Sequence, residues 1–362
     1  MSESITDIKA IPGLNPEETE IIQRVTEFYP FRATSHYLSL IDWEDPHDPL
    51  RKVVVPDAGE LESGGSLDPS REKNFYVLPG MQHKYPDTVL LLVGRQCAGY
   101  CRYCFRKRLF LRRCFDGHPP DVNSCIEYIR DHPEVRNVLL TGGDPLTLPG
   151  ERLMEIIQKL AGLPRIEAVR IGTRMLSWDP GRVIADRLLL QGLSELRGAQ
   201  LYVMTHFTHS RELCGEALEA IRLLRYRGAV MCNQTPIIRG VNDNADTLED
   251  LFNALVAAGV SPYYMFQIRP TVGNSIYAVP PLEAYMVIRE AQSRCSGLAA
   301  RARYVISHYT GKLHVCGLTD EHLVMVYHRA AFPRDRGRTI LVKRSLANNS
   351  VEFFRIGSDI LR

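Results

Sequence analysis

The chain has 362 residues, of which 45% are hydrophobic and 24% charged, and its 44 basic and 42 acidic residues leave a net charge of +2. This composition is typical of a soluble globular protein, and the balanced charge gives no indication of a nucleic-acid or membrane partner. The first residues lack the basic and apolar regions of a signal peptide. Nine cysteines without an export signal argue against a disulfide framework. We therefore expect a reducing compartment, the cytoplasm.

The first 84 residues are predicted to form a mostly helical and irregular segment that wraps a core built elsewhere. Residues 16–28 have a helical pattern, with Asn15 as a possible cap and Pro16 in the first turn. The stretches 42–48 and 56–68 are rich in proline and aspartate, which predicts irregular turns.

From residue 85 to about 300, short apolar strands alternate with amphipathic helices, which predicts a parallel sheet with right-handed crossovers. The predicted strands are 88–94, 137–141, 168–172, 200–204, 229–233 and 263–268. The predicted helices lie near 121–131, 150–162, 180–196, 211–227, 245–258 and 281–295. Six such units form either a doubly wound sheet or a partial barrel. Polar, glycine-rich segments follow the strands, so we expect the chemistry at their C-terminal ends.

The last segment, 301–362, changes character. Residues 303–307 are strand-like, 308–312 are predicted to form a turn, and 321–327 and 339–343 are short β-like runs. We expect this segment to cap or close the sheet.

Three cysteines, Cys97, Cys101 and Cys104, follow the first predicted strand at Cys-x3-Cys-x2-Cys spacing. Thiolates this close in sequence can hold a cubane iron–sulfur cluster that leaves one iron open. A structural zinc site is an alternative, although zinc requires four ligands and the next cysteine, Cys114, lies ten residues on. Three inert buried thiols are the other alternative.

The cysteine motif, with Tyr103 before the third cysteine, resembles the signature of radical S-adenosylmethionine (SAM) enzymes, as does the glycine-rich segment 142–145. Further motifs resemble those of lysine 2,3-aminomutase and its relatives; they occupy residues 83–87, 104–108, 138–144, 170–174, 205–207, 233–234 and 239–243. The resemblance extends from about residue 45 to 315. It implies an α/β fold with a partial (βα)6 TIM-like barrel over 85–300, between the N-terminal wrap of 1–84 and the C-terminal closing segment of 301–362.

The resemblance implies three cofactors. Cys97, Cys101 and Cys104 would hold a [4Fe–4S] cluster whose free iron chelates SAM, and reductive cleavage would give a 5′-deoxyadenosyl radical. Pyridoxal 5′-phosphate (PLP) would form a Schiff base with a lysine, which matches Lys312, although the Gly-Lys turn here is shorter than in the family. Most lysines are solvated surface charges, and that alternative stays open for Lys312.

Other residues match family positions that surround these cofactors. The positions implied near SAM are Gly142, Gly143, Asp144, His206 and Gln234. His206 and Gln234 could equally be satisfied polar groups of the core. Lys84 and Tyr85 match the basic and aromatic pair near the PLP phosphate.

Substrate-binding positions depart from those of lysine aminomutases. Arg106 matches the arginine that binds the substrate carboxylate, although it could be a solvated member of a basic run. The two aspartates that hold the lysine ammonium are replaced by Arg269 and Ser307. Strand alternation puts Arg269 on the same face as Met265 and Gln267, which predicts that it points inward.

Arginine in place of aspartate converts a cation receptor into an anion receptor, which favours an acidic substrate, glutamate before aspartate. The alternative is that Arg269 pairs with a carboxylate of the protein. The resemblance therefore predicts an isomerase, an amino-acid 2,3-aminomutase. Rival hypotheses are lysine 2,3-aminomutase, a radical SAM and PLP enzyme that deaminates, decarboxylates or desaturates, and a zinc-bound structural protein.

The partners expected are a small amino-acid substrate and an electron donor such as flavodoxin or ferredoxin, with no nucleic acid and no membrane. Family members carry a cysteine-rich C-terminal zinc site that links subunits, and no cysteine follows Cys316. The sequence therefore leaves open whether the protein forms a homo-oligomer.

Overall fold

The computed structural model describes residues 3–62, 64–111 and 119–348. Cys114 and residues 349–362, the last part of the predicted closing segment, lie outside the described residues. Within the described part of the chain, no helix is long and apolar enough to cross a membrane.

The N-terminal segment begins with a small two-stranded sheet and three helices. Their bounds are β1 Ser4–Ile5, α1 Pro16–Phe28, β2 Ala33–Thr34, α2 Ser35–Ser39 and α3 Pro49–Val54. The prediction for α1 is confirmed, because Asn15 and Glu18 form a reciprocal capping box at its start. Helix α3 lies between the two predicted turn regions, because Asp48 accepts backbone hydrogen bonds at its start and Pro49 suits its first position.

A single mixed sheet of twelve strands forms the centre of the molecule, and each strand pairs with the next in the chain. The strands are β3 Tyr76–Leu78, β4 Met81–Tyr85, β5 Thr88–Gly94, β6 Asn137–Gly142, β7 Ala168–Gly172, β8 Gln200–Thr205, β9 Val230–Ile237, β10 Ser261–Gln267, β11 Arg303–His308, β12 Gly311–Leu318, β13 His322–Ala330 and β14 Thr339–Lys343. Strands β5 to β11 run parallel, whereas β3 to β5 and β11 to β14 are joined antiparallel. The fold is therefore α/β.

Crossover helices connect the parallel strands, close to where the alternating pattern predicts them. The helices are α4 Val122–Asp131, α5 Gly150–Ala161, α6 Met175–Trp178, α7 Pro180–Ala185, α8 Arg187–Glu195, α9 Gly215–Tyr226, α10 Ala245–Ala257 and α11 Pro281–Arg294, and α12 Arg344–Ala347 follows β14. The predicted helix over 180–196 is two helices, because Asp186 ends α7 and its side chain caps α8 through Leu189 N at 3.0 Å.

Alternating side chains give the sheet two different faces. Leu91, Leu140 and Ile171 lie side by side in the ladder and are fully buried among the helices. Their neighbours Leu90, Leu139 and Arg170 line a cavity on the other face. The period of two residues thus separates a helix-covered core from a functional surface.

Three features of the sheet differ from the sequence prediction. Strands β3 and β4 belong to the central sheet, although their residues fall in the predicted wrap of 1–84. Strand β11 extends the parallel part beyond six units, because it pairs with β10 before the chain reverses. Lys312 lies on β12 and not in a turn, since the chain turns at Tyr309 and Thr310.

Candidate active site

One cavity of about 370 Å³ lies at the C-terminal ends of the parallel strands. Every residue singled out from the sequence as a ligand of the cluster, SAM, PLP or substrate lines it. These residues are Cys97, Cys101, Cys104, Gly142, Gly143, Asp144, His206, Gln234, Lys84, Tyr85, Lys312, Arg106, Arg269 and Ser307. Strands distant in sequence therefore bring the predicted residues to one place.

The cysteine loop, residues 95–106, is fixed to the end of β6 by backbone hydrogen bonds. Gly143 N donates to Gly94 O at 2.8 Å, and Asp144 N donates to Gln96 O at 2.7 Å. Gly142 has a φ of +126°, and a Cβ on it would lie 2.3 Å from Gly94 O. Glycine is required here because the two chain segments pass too close for a side chain.

The three clustered cysteines are half-buried and line the same cavity. Burial raises the pKa of all three, and nearby thiolate charge contributes for Cys97 and Cys104. Among residues 3–62, 64–111 and 119–348, no three His, Cys, Asp or Glu side chains are placed to share one metal ion. A cubane cluster attaches each cysteine to a different iron, so three thiols that line one cavity suit it better than a single ion.

The side chain of Asp144 stabilises the site through hydrogen bonds. Its carboxylate accepts hydrogen bonds from the Thr173 hydroxyl at 2.7 Å, from Arg174 N at 2.7 Å and from Leu146 N at 3.0 Å. These contacts tie the end of β6 to the end of β7. The carboxylate is thus fully engaged within the protein, although the residue lines the cavity.

His206, which follows β8, is joined to a buried polar network beneath the cysteine loop. Its Nε2 lies 3.1 Å from the hydroxyl of Tyr103, to which Arg174 also donates. Arg174 in turn forms a buried ion pair with Glu212. Burial and the charge of Arg174 hold the pKa of His206 well below its usual range, so the imidazole is neutral.

Lys312 projects from β12 over two aromatic rings. Its Nζ lies 4.8 Å from the ring centre of Tyr264 and 5.5 Å from that of Phe266. Burial, followed by the charges of Arg170 and Arg329, lowers the pKa of Lys312 well below its usual range. A neutral amine is the nucleophilic form of lysine, so the site suits imine formation.

Polar groups that suit an anion surround Lys312. Lys84 donates to His308 O at 2.6 Å, and burial lowers the pKa of Lys84 to about 7. Ser307 is the direct cross-strand partner of Lys312. Within the described residues, the Ser307 hydroxyl and Arg170 Nε are buried without a hydrogen-bond partner. Such orphaned donors fit a bound phosphate.

Arg106 is held by a carboxylate that the sequence did not point to. Its Nη2 donates to Glu72 Oε1 at 2.7 Å and its Nε lies 3.1 Å from Glu72 Oε2, while Nη1 donates to Thr141 at 3.1 Å. Arg108 also pairs with Glu72. These arginines hold the pKa of Glu72 far below its usual range despite burial. Arg106 thus has its plane fixed and offers only its remaining Nη hydrogens to a ligand.

Arg269 lines the cavity, and no carboxylate of the described residues contacts its guanidinium. Within the described residues, its guanidinium makes no hydrogen bond or ion pair, and it stacks 3.7 Å from the ring centre of Phe105. Burial lowers its pKa to about 10, and Glu72 acts on it from a longer distance. The alternation argument for its direction was wrong: Met265 packs among the helices, and Arg269 faces the cavity because it lies beyond the end of β10.

Among the other residues that line the cavity, Ser70, Glu72, Arg170 and Arg329 carry polar or charged side chains to which the sequence analysis gave no role. A charged residue between apolar neighbours on a buried strand is unusual, so Arg170 carried a signal in the sequence. Ser70 and Glu72 carried none, because they lie in a stretch without periodicity.

Comparison with known proteins agrees with this site. Residues 91–252 match the model of the Radical SAM superfamily. A protein of Aquifex aeolicus named "Putative L-lysine 2,3-aminomutase" is 47% identical over 344 residues, which cover 94% of this chain and 92% of the relative. L-lysine 2,3-aminomutase of Fusobacterium nucleatum is 36% identical over 82% of this chain and 69% of its own length. Glutamate 2,3-aminomutase of Clostridioides difficile is 31% identical over 83% of this chain and 71% of its own length.

The matched domain and the cysteine loop define a radical SAM enzyme. The chain belongs to the radical SAM amino-acid 2,3-aminomutase family and is an isomerase. Its cofactors are a [4Fe–4S] cluster, SAM and PLP. The grouped thiols, the neutral Lys312 and the orphaned donors beside it fit these groups chemically.

Proposed function

We propose that this chain is a 2,3-aminomutase for an acidic amino acid, glutamate before aspartate, and that it moves the α-amino group to the β-carbon. The observation that carries the proposal is Arg269, a cavity guanidinium without a hydrogen bond or ion pair to the described residues. A side-chain carboxylate of the substrate would give it the bidentate partner that it lacks.

The charges along the cavity support an anionic substrate. The basic lining residues are Lys84, Arg106, Arg170, Arg174, Arg269, Lys312 and Arg329. The acidic lining residues are Glu72 and Asp144, and both are already engaged within the protein. The described lining therefore offers no free carboxylate to a lysine ammonium, and burying that cation beside Arg269 would cost several kcal/mol.

We assign the cofactors to the residues as follows. Cys97, Cys101 and Cys104 hold the cluster, and the segment of Gly142 and Gly143, with His206 and Gln234, receives SAM. Asp144 supports this segment through its bonds to Thr173 and Arg174. Lys312 holds PLP, with Lys84 and Tyr85 near its phosphate. When bound, these groups supply the radical and the imine chemistry that protein side chains lack.

Side chains of the protein bind the substrate and shield the reaction from water. Arg106 binds the α-carboxylate with a guanidinium plane fixed by Glu72, and Arg269 binds the distal carboxylate. Ser307 lies beside Lys312, where its hydroxyl can form a hydrogen bond with PLP or with the substrate. The amine of Lys312 is already neutral, so it would not have to lose a proton before it bonds to the aldehyde carbon of PLP. The enclosed cavity keeps water away from reactive species.

We further propose the finer architecture and the setting. Residues 85–300 form a partial (βα)6 barrel, flanked by a wrap of 1–84 and a closing segment of 301–362. A flavodoxin or ferredoxin supplies the electron, the enzyme works in the cytoplasm, and the chain is able to form a homo-oligomer.

Lysine is the second candidate substrate, because the relatives with the higher identities carry lysine aminomutase names. The experiment is an anaerobic incubation of reconstituted enzyme with SAM, PLP and dithionite against glutamate, aspartate, lysine and alanine in parallel. Chromatography of the amino acids then identifies the product. β-Glutamate formation supports the proposal, whereas turnover of lysine alone contradicts it. Migration within aspartate regenerates aspartate, so that substrate carries carbon-13 at its α-carboxyl, and NMR shows whether the nitrogen has moved away from the labelled end. Net release of deoxyadenosine without a β-isomer would indicate a different radical outcome.

A further inference from the structure

Residues 64–75, here called the strap, contribute Ser70, Glu72 and Phe75 to the lining of the cavity. At one end, Ser66 N donates to Pro270 O at 2.9 Å, next to Arg269. Gly65 passes so close that a Cβ would lie 2.7 Å from Pro270 O. At the other end, Glu72 binds Arg106. The strap therefore spans the two arginines to which the substrate carboxylates are assigned.

The backbone of the strap is strained at Arg71, whose side chain contacts the turn that precedes Lys312. Arg71 is the one non-glycine residue with a positive φ, +48°, in the described parts of the chain. Its guanidinium lies 4.4 Å from the ring centre of Tyr309, in the turn that precedes Lys312. A left-handed residue other than glycine is strained and persists where the surroundings impose it.

Ser70 stands directly before this strained residue and lines the cavity. Its side chain is 6% exposed, and its hydroxyl has no hydrogen-bond partner within the described residues. A buried hydroxyl without a partner is costly, and most buried polar groups are paired. No hydrogen bond within the described residues uses this hydroxyl, and Ser70 lines the same cavity as Arg269.

We propose that the Ser70 hydroxyl is a substrate ligand, which donates a hydrogen bond to the distal carboxylate held by Arg269. This inference rests on the proposed acidic substrate and assigns the N-terminal strap a part in choosing it. The α-carboxylate is less suited as its acceptor, because Arg106 is already enclosed by Glu72 and Thr141. Two oxygens of the distal carboxylate would then be shared between a guanidinium and a hydroxyl.

The test compares Ser70→Ala with Ser177→Ala in the reconstituted enzyme. Ser177 is a matched control, because its hydroxyl is also buried and unpaired within the described residues, yet it does not line the cavity. KM and kcat are measured for glutamate and for 2-aminobutyrate, which lacks the distal carboxylate. Calorimetric binding of glutamate without reductant gives a readout that does not depend on turnover.

For Ser70→Ala we expect KM and Kd for glutamate to rise about tenfold, with kcat within twofold and 2-aminobutyrate unaffected. Its melting temperature should not fall, because the removed hydroxyl has no partner to lose. Ser177→Ala should leave every parameter unchanged. If the wild type converts glutamate and Ser70→Ala matches it, the Ser70 assignment is wrong while the proposed function stands. If the wild type neither binds nor converts glutamate or aspartate, both proposals fail.

Discussion

The guanidinium carbon of Arg269 lies 3.7 Å from the ring centre of Phe105, the residue that directly follows the third clustered cysteine. The guanidinium carbon of Arg106 lies 4.9 Å from the centre of the same ring. One aromatic side chain of the cysteine loop therefore lies beside both arginines proposed to bind the two substrate carboxylates. Cation–π contact of this kind orients a guanidinium without consuming its N–H donors.

Reversing the charge at Arg269 should reverse the substrate preference. In Arg269→Asp, kcat/KM for glutamate should fall roughly 10- to 100-fold, because a charged hydrogen bond is replaced by repulsion. Arg269→Lys retains the charge but loses the bidentate pair, so its kcat/KM for glutamate should lie between those of the wild type and Arg269→Asp. The rates are measured by chromatography of the β-amino product. Undiminished glutamate turnover by Arg269→Asp would show that another group binds the distal carboxylate.

Glu72 should be a major contributor to stability. Glu72→Gln leaves the buried guanidiniums of Arg106 and Arg108 without their shared carboxylate, and breaking a buried ion pair costs about 3–5 kcal/mol. Denaturant unfolding followed by circular dichroism measures the change. The control is Glu219→Gln, an exposed helical pair with Arg222, which should leave the unfolding midpoint unchanged. Equal midpoints for the two variants would contradict a buried Glu72 pair.

Anion affinity near Lys84 should fall as pH rises through 7. Burial, and then the charge of Arg269, lowers the pKa of Lys84 to about 7, so its ammonium is present below that pH and lost above it. Pyridoxamine 5′-phosphate cannot form an imine with Lys312 and is a suitable probe. Relative to Lys84→Arg, which stays charged, its affinity for the wild type should drop about tenfold between pH 6 and pH 8. A constant ratio would mean that Lys84 does not contact the phosphate.

The parallel strands of the sheet and the grouping of the cysteine loop with the glycine turn could be predicted, because apolar runs and glycines are local signals. The inward direction of Arg269 was predicted for the wrong reason, since two-residue alternation ends with the strand at Gln267. Strand β4 was missed because Lys84 and its neighbours do not form an apolar run. Glu72 could not be found, because its role depends on arginines more than thirty residues away that only the folded chain brings to it.

Gly142 should be indispensable for assembling the cluster site. In Gly142→Ala, the new Cβ would lie 2.3 Å from Gly94 O at a φ of +126°, so the end of β6 must move away from the cysteine loop. That movement breaks the bonds from Gly143 and Asp144 that hold the loop.

Gly172→Ala is the matched control for this substitution. Gly172 also lines the cavity, but a Cβ there meets its nearest atom, Thr141 Oγ1, at 3.6 Å, an ordinary contact. After anaerobic reconstitution, iron, sulfide and visible absorbance should be lost from Gly142→Ala and retained in Gly172→Ala. Full iron content in Gly142→Ala would mean that the cysteine loop holds its shape without the end of β6, because the thiols alone would then suffice to assemble the cluster.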